Sequence, residues 1–159
     1  MFWAAFGHRK RTNLVTMKGD PESARGGVTA RRYIEVLEEY LPTILEFDSI
    51  FMQDNASIHT AYSVQEWFRD MAIDLVDHPP YSPDLNPIKN LWKILKAKII
   101  ELYPELVIMR DNDSTRQLLI LAAQEAWDML DDEMLETLAL GMQKRVDAIK
   151  AAGGWYTKY

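Results

Sequence analysis

Ser-Ile-Phe-Met-Gln-Asp-Asn-Ala-Ser-Ile-His-Thr-Ala-Tyr-Ser-Val-Gln-Glu-Trp-Phe-Arg-Asp-Met-Ala-Ile-Asp-Leu-Val, residues 49–76, reads as strand, helix, strand. Residues 49–53 form a short apolar strand signal that ends at Asp54, and residues 73–76 form a second. Between them, residues 61–72 place Val64, Trp67, Phe68 and Met71 on one helical face. Two strands separated by a crossover of this length pair in parallel, because an antiparallel pair needs only a tight turn. The fold class is therefore α/β, a mixed sheet with flanking helices.

Upstream, residues 2–6 and 14–17 are short apolar runs flanking Gly7 and a basic tip, His8 to Arg11, which predicts a hairpin. Residues 18–27, with Gly19, Pro21, Gly26 and Gly27, lack an apolar period and predict an exposed loop. Thr29 is placed to cap a helix whose apolar positions Tyr33, Val36, Leu37, Tyr40, Leu41, Ile44 and Leu45 share a face, with a bend or restart at Pro42. Downstream, Pro79, Pro80, Pro83 and Pro87 enforce an extended loop. Pro87 then suits the first turn of a helix carrying Ile88, Trp92, Leu95 and Ile99. Two further helices are expected near 114–130 and 132–151. Trp3, Trp67, Trp92 and Trp127 fall on apolar faces and are expected in the core.

The 159 residues, 48% apolar and without cysteine, make one domain with a real core and exclude a disulfide scaffold, a thiolate metal site and a cysteine nucleophile. No apolar run reaches the ~20 residues that span a bilayer, so no membrane partner is expected and the chain reads as intracellular. Net charge is −6, but it is unevenly spread. Residues 1–32 carry seven Lys or Arg against two acids, and residues 86–98 carry four against none. Residues 33–85 carry one against eleven. That segregation permits an anion-binding face on an acidic protein.

Two stretches carry the chemistry. Gln53-Asp-Asn-Ala56 with His59 puts a carboxylate at the C-terminal end of a strand, where open α/β sheets place ligands. Tyr81-Ser-Pro-Asp-Leu-Asn-Pro-Ile-Lys-Asn-Leu-Trp92 is a stiff loop opening a helix.

In these two runs the chain resembles the mariner-like transposases, DDE-type enzymes on an RNase H-like fold. The family reads Asp-Asn-Ala-x-x-His at its second catalytic acid and Ser-Pro-Asp-Leu-Asn-Pro-Ile-Glu-Asn-Leu-Trp at its third. Asp54 and Lys89 are separated by 34 residues, the family's spacing in one large branch. Gly141-Met-Gln-Lys-Arg145 and Gly153-Gly-Trp-Tyr-Thr-Lys-Tyr159 are similar to its closing patterns, and residues 1–7 to its second strand, so the resemblance runs end to end.

The resemblance implies three carboxylates holding two Mg²⁺ or Mn²⁺ ions ~4 Å apart. Asp54 matches the second acid. Lys89 stands where the third belongs, and an ammonium repels a metal ion instead of ligating it. The family's first acid lies on a first strand upstream of the stretch matched here. Asp20 sits in a loop beyond the hairpin and is not its equivalent; Asp84 is expected to cap the turn before Pro87, Glu101 to point elsewhere, and His59 to be structural. Asp54 then reads as a remnant hydrogen-bonded to nearby backbone, with no metal or other cofactor. For Lys89, Lys93 and Lys96, which share one helical face, a solvated face is the default; a phosphate-contacting stripe and an ion pair from Lys89 to Asp54 are the functional alternatives, the pair being the sharper one.

The expectation is a single truncated RNase H-like domain of about four strands. It lacks the family's first strand and its helix-turn-helix DNA-binding domain, and it is catalytically inactive and retained as a nuclear binding or scaffold subunit. Loss of a central strand leaves two unpaired edges, which calls for a homodimer or another protein partner to complete the sheet. Two alternatives stay open. One is a duplex-DNA-binding module using Arg9, Lys10 and Arg11 of the hairpin with the stripe Lys89, Lys93 and Lys96. The other is an Mg²⁺- or Mn²⁺-dependent endonuclease whose missing acids come from elsewhere.

Overall fold

The computed structural model describes residues 1–79, 82–155 and 157. The N-terminal arm is the expected hairpin. Its strands β1 (Phe2–Trp3), β2 (Phe6–Gly7), β3 (Lys10–Arg11) and β4 (Val15–Thr16) pair antiparallel, β1 with β4 and β2 with β3. The ladder is interrupted where the Thr12 side chain takes over: Ala5 N–H donates to Thr12 Oγ1 at 3.0 Å and Thr12 N–H to Ala5 O at 2.9 Å. Helix α1 spans Ala30–Tyr40, with Thr29 Oγ1 accepting from Arg32 N–H at 3.4 Å. Next come β5 (Ile50–Phe51), α2 (Tyr62–Asp70) and β6 (Asp74–Leu75), and β5 pairs with β6 in parallel as the crossover spacing requires.

The C-terminal half is helical: α3 (Ile88–Leu102), α4 (Asp113–Asp128), α5 (Asp132–Leu140) and α6 (Met142–Ala151). Asn112 and Asp131 cap α4 and α5 through their side chains.

Strand periodicity sends alternate residues of the hairpin into two cores. Trp3, Ala5 and Met17 pack with Tyr33, Leu37, Leu41, Val64 and Phe68 beneath α1 and α2. Ala4 and Leu14 face the opposite way, onto Leu91, Leu95, Ala123, Trp127 and Leu135 of α3, α4 and α5. Trp3 and Trp127 are buried as expected. Trp67 and Trp92 are only half-buried, Trp67 donating to Glu38 Oε1 at 3.2 Å and Trp92 stacking on Trp127 with centroids 5.9 Å apart.

Three expectations need correction. The sheet is not one layer of about four strands but three two-stranded ladders, and among the described residues none bonds the hairpin to β5. The restart expected at Pro42 is present: the first helix stops at Tyr40 and passes into a single 3-10 turn, Leu41–Thr43, because Pro42 cannot donate to the helical ladder. The single helix expected over 132–151 is broken at Gly141, where a Cβ would lie 3.1 Å from the Thr137 carbonyl oxygen.

The third correction concerns the loop at 18–27, which is not simply exposed. Asp20 is buried at 4% exposure. It accepts from Arg31 Nη2 at 2.7 Å, Arg31 Nε at 3.3 Å, Thr29 Oγ1 at 2.7 Å and Glu22 N–H at 3.1 Å. The loop tightens around it: Asp20 N–H donates to Gly27 O, and a Cβ on Gly19 would strike the Gly26 carbonyl oxygen. The Arg31 hydrogen bonds, then that from Thr29, hold the Asp20 carboxyl down at about 2 from an ordinary 3.8. A depressed carboxyl pKa adds stability that is present above the unfolded value and is lost as pH falls through the folded one. Thermal stability should therefore drop between pH 4 and 2, and Asp20→Asn should be less stable at pH 7 yet flatter across that window. Parallel melting curves of the two proteins in that acid range would test this.

Candidate functional site

β5 delivers Asp54 just past its C-terminal end, and the loop after it turns back through Ala56 and His59. Asp54 Oδ1 accepts from His59 Nδ1 at 2.8 Å and from Ala56 N–H at 3.2 Å. Its other oxygen, Oδ2, accepts from Lys89 Nζ at 2.5 Å. Lys89 lies in the first turn of α3, which Asn86 starts by accepting the Ile88 N–H on Oδ1 at 3.3 Å. Burial pushes the Asp54 carboxyl up, but the hydrogen bond and charge of Lys89, with the Ala56 amide, outweigh it and hold the group below its ordinary value.

The surroundings fix this arrangement. The His59 ring lies against Tyr33 with centroids 4.7 Å apart, and Tyr33 O–H donates to Gln53 Oε1 at 2.7 Å. Gln65 Nε2 donates to His59 O at 2.8 Å, and Asn55 Nδ2 to His78 O at 2.8 Å. His59 is thus both a packing element and a direct donor to Asp54, a second role that its sequence position did not announce. Since a carboxylate can only accept here, the Asp54 contact requires the proton on Nδ1.

Other sequence candidates fall elsewhere. Asp84 does not cap the turn before Pro87, which has no side-chain cap. Asp84 instead accepts from Thr157 N–H at 2.7 Å and Thr157 Oγ1 at 2.9 Å, while its carbonyl accepts from buried Arg145 at 2.9 Å. It ties the proline loop to the two C-terminal motifs. Glu101 pairs with Lys98 at 2.8 Å, away from Asp54. Tyr81, which opens the loop motif, and Tyr156, Lys158 and Tyr159 of the closing one lie outside the described residues.

The basic hairpin is occupied by the protein's own acids. Arg9 pairs with Glu136 at 2.9 Å, and Lys10 pairs with Glu46. Arg11 reaches Asp132 at 3.1 Å and the carbonyls of Leu130 and Asp128. The tip therefore staples the hairpin to the start of α5 and to the segment before β5. On α3, Lys89 is engaged by Asp54, whereas Lys93 and Lys96 are exposed and make no ion pair among the described residues. The six basic candidates do not form one continuous free surface.

A model of the DDE superfamily endonucleases matches residues 7–106, well over half of the chain. The chain belongs to this family. The Tc3 transposase of Caenorhabditis elegans is 31% identical over 158 residues, covering 96% of this chain and 44% of that protein. The Tcb2 transposase of Caenorhabditis briggsae is 33% identical over 110 residues, covering 69% and 37%. The chain thus spans less than half the length of these relatives. Among solved structures, the catalytic domain of Mos1 mariner transposase superposes with a TM-score of 0.61 at 22% identity, covering 99% of this chain and 82% of that one. The Mos1 strand transfer complex gives 0.62 at 24% identity, covering 94% and 44%. The fold of this DDE chain is the mixed α/β, RNase H-like fold of those domains.

The donor set does not fit the divalent ions that the family implies. Both Asp54 oxygens are in use, one by an ammonium, and among the described residues no group of three His, Cys, Asp or Glu side chains is placed to hold a metal ion.

Proposed function

We propose that this DDE-family chain performs no strand cutting and serves as a binding or scaffold subunit of a nuclear complex. One observation carries the reading: Lys89 Nζ lies 2.5 Å from Asp54 Oδ2, in the position where the family sequence puts a metal-ligating acid. Hard divalent cations take oxygen ligands, and a cationic side chain on the remaining carboxylate both removes a ligand and repels the ion. In this reading Asp54 has become a structural anchor that ties the β5 end to α3, and the partner is another protein. Among the described residues no helix is long and apolar enough to cross a membrane.

Duplex DNA is the second reading, supported by the exposed Lys93 and Lys96. Two phosphate contacts predict weak binding whose logarithmic salt slope is about −1.8. One preparation tests both. Supercoiled plasmid incubated with the chain and Mg²⁺ or Mn²⁺ should stay supercoiled at every protein concentration, and any gel shift should weaken only about tenfold between 50 and 200 mM salt. Mn²⁺-dependent nicking that Asp54→Asn abolishes would overturn the non-catalytic reading.

A further inference from the structure

The proline loop that delivers Lys89 is gripped by α6 and by the segment that follows it. Within α6, Arg145 is 3% exposed and donates from Nη1 to the Asp84 carbonyl at 2.9 Å. The helix is then closed by two left-handed glycines, Gly153 at φ 62° and Gly154 at φ 86°, a pair of conformations that glycine adopts without strain. Trp155 beyond them is 75% exposed, so its ring does not anchor the stretch in the core. Two residues on, Thr157 gives both of its donors, the N–H and the hydroxyl, to Asp84 Oδ2 at 2.7 and 2.9 Å.

From Asp84 to Lys89 the chain has little freedom. Pro83–Leu85 is a 3-10 turn, and Asn86, 4% exposed, donates its N–H to Pro83 O at 3.0 Å. Pro87 fixes its own φ at −65°, and Lys89 N–H donates to Asn86 O at 3.1 Å. A grip on Asp84 therefore sets where the first turn of α3 lies.

Toward β5 the loop has room to move. A cavity of about 450 Å³ is lined by Asp54, Asn55 and His78 from the strand ends and by Ser82, Pro83 and Lys89 from the loop and α3. The Lys89–Asp54 ion pair links these two sets of residues. The Lys89 side chain is 44% exposed, and an ion pair so placed stabilises too little to hold a loop in position unaided. The contact depends on the grip from the α6 side.

We propose that the Thr157–Asp84 clasp is a latch that holds Lys89 on Asp54, with Gly153 and Gly154 as its hinge. Drawing Thr157 off Asp84 releases the ammonium from the carboxylate. The coupling is reciprocal: what the clasp adds to the Lys89 contact, the Lys89 contact adds to the clasp. The inference stands on the geometry of these groups and does not depend on the chain being a binding subunit.

The test reads each end of the coupling from the other. Acetylation of Lys89 by a water-soluble N-hydroxysuccinimide ester is followed by mass spectrometry, with the exposed Lys93 and Lys96 of the same helix as references. Thr157→Pro, which removes both donors, should raise the Lys89 rate about threefold relative to them, and Thr157→Ser, which keeps both, should leave it at the native value. In the other direction, Lys89→Gln should speed hydrogen exchange of the Thr157 amide by about the same factor. An unchanged Lys89 rate in a folded Thr157→Pro chain, or unchanged Thr157 exchange in Lys89→Gln, overturns the latch. A fall in the urea midpoint of Thr157→Pro marks a defect of the whole fold, and the Lys89→Gln measurement then decides alone.

Discussion

Lys89→Glu is expected to convert a metal-blind protein into one that Mn²⁺ stabilises. In the native chain Asp54 Oδ2 is held by Lys89 Nζ at 2.5 Å, and that contact, with the lysine charge, keeps the carboxyl below its ordinary value against the effect of burial. The glutamate removes both and sets two carboxylates against each other, so burial and like-charge repulsion then both favour protonation of Asp54. Without metal the variant should melt below the native protein. With Mn²⁺ at about a hundred times its dissociation constant, linkage supplies about 2.7 kcal/mol, on the order of 5–10 °C in Tm for a chain of this size. The native protein should show no such rise, nor should Lys89→Gln, which removes the ammonium without adding a ligand. An equal Mn²⁺ response from the native chain would mean that Lys89 does not guard the site.

Trp127→Ala should bring the protein close to global unfolding. Trp127 is 1% exposed on α4, at the centre of the helical core among Leu91, Leu95, Ala123 and Leu135, and its ring stacks on Trp92. Large-to-small changes of this kind cost ~3–5 kcal/mol, against a total stability of ~5–15 kcal/mol. The indole also donates from Nε1 to the Thr12 carbonyl at 2.9 Å, at the point where the hairpin ladder is interrupted. Losing that donor leaves the buried Thr12 carbonyl unpaired and loosens the hairpin. Trp127→Phe keeps a ring but not the N–H and should lose less than half as much. Urea midpoints separate the two contributions; a Trp127→Ala midpoint near that of the native chain would mean that α4 does not hold the core together.

The elements that were legible in the sequence are those fixed by neighbours a few residues away. The helical face at Tyr33, Leu37 and Leu41, the Thr29 cap and the β5-α2-β6 crossover all follow from periods and caps that a short window contains. The Asp54–Lys89 juxtaposition was legible for a different reason: the resemblance of two long motifs to the family implies that both residues stand at one end of the sheet.

What the window could not contain was decided by docking. Asp20 sits in a glycine-rich stretch that reads as solvent-exposed. It is buried because Arg31, eleven positions away, returns over it once α1 packs. Asp84 reads as a turn residue, but its carboxylate is taken by Thr157, 73 positions on. Arg9 reads as part of a free basic tip, and Glu136, 127 positions on, neutralises it. In each case local sequence specifies a charge, and only the approach of a distant element decides whether that charge faces water, an acid or a backbone amide.

By itself, then, the sequence determined the family, the α/β class and the exchange of a metal-ligating carboxylate for Lys89, because these reside in residue identity and short-range period. The tertiary structure alone decided that the hairpin's basic charge is taken up by α5 and Glu46, that Asp20 is buried against Arg31, and that Asp84 is held by Thr157. Ion pairing and ladder formation depend on distances of a few ångströms between segments far apart in the chain, and those distances exist only after the two cores have packed.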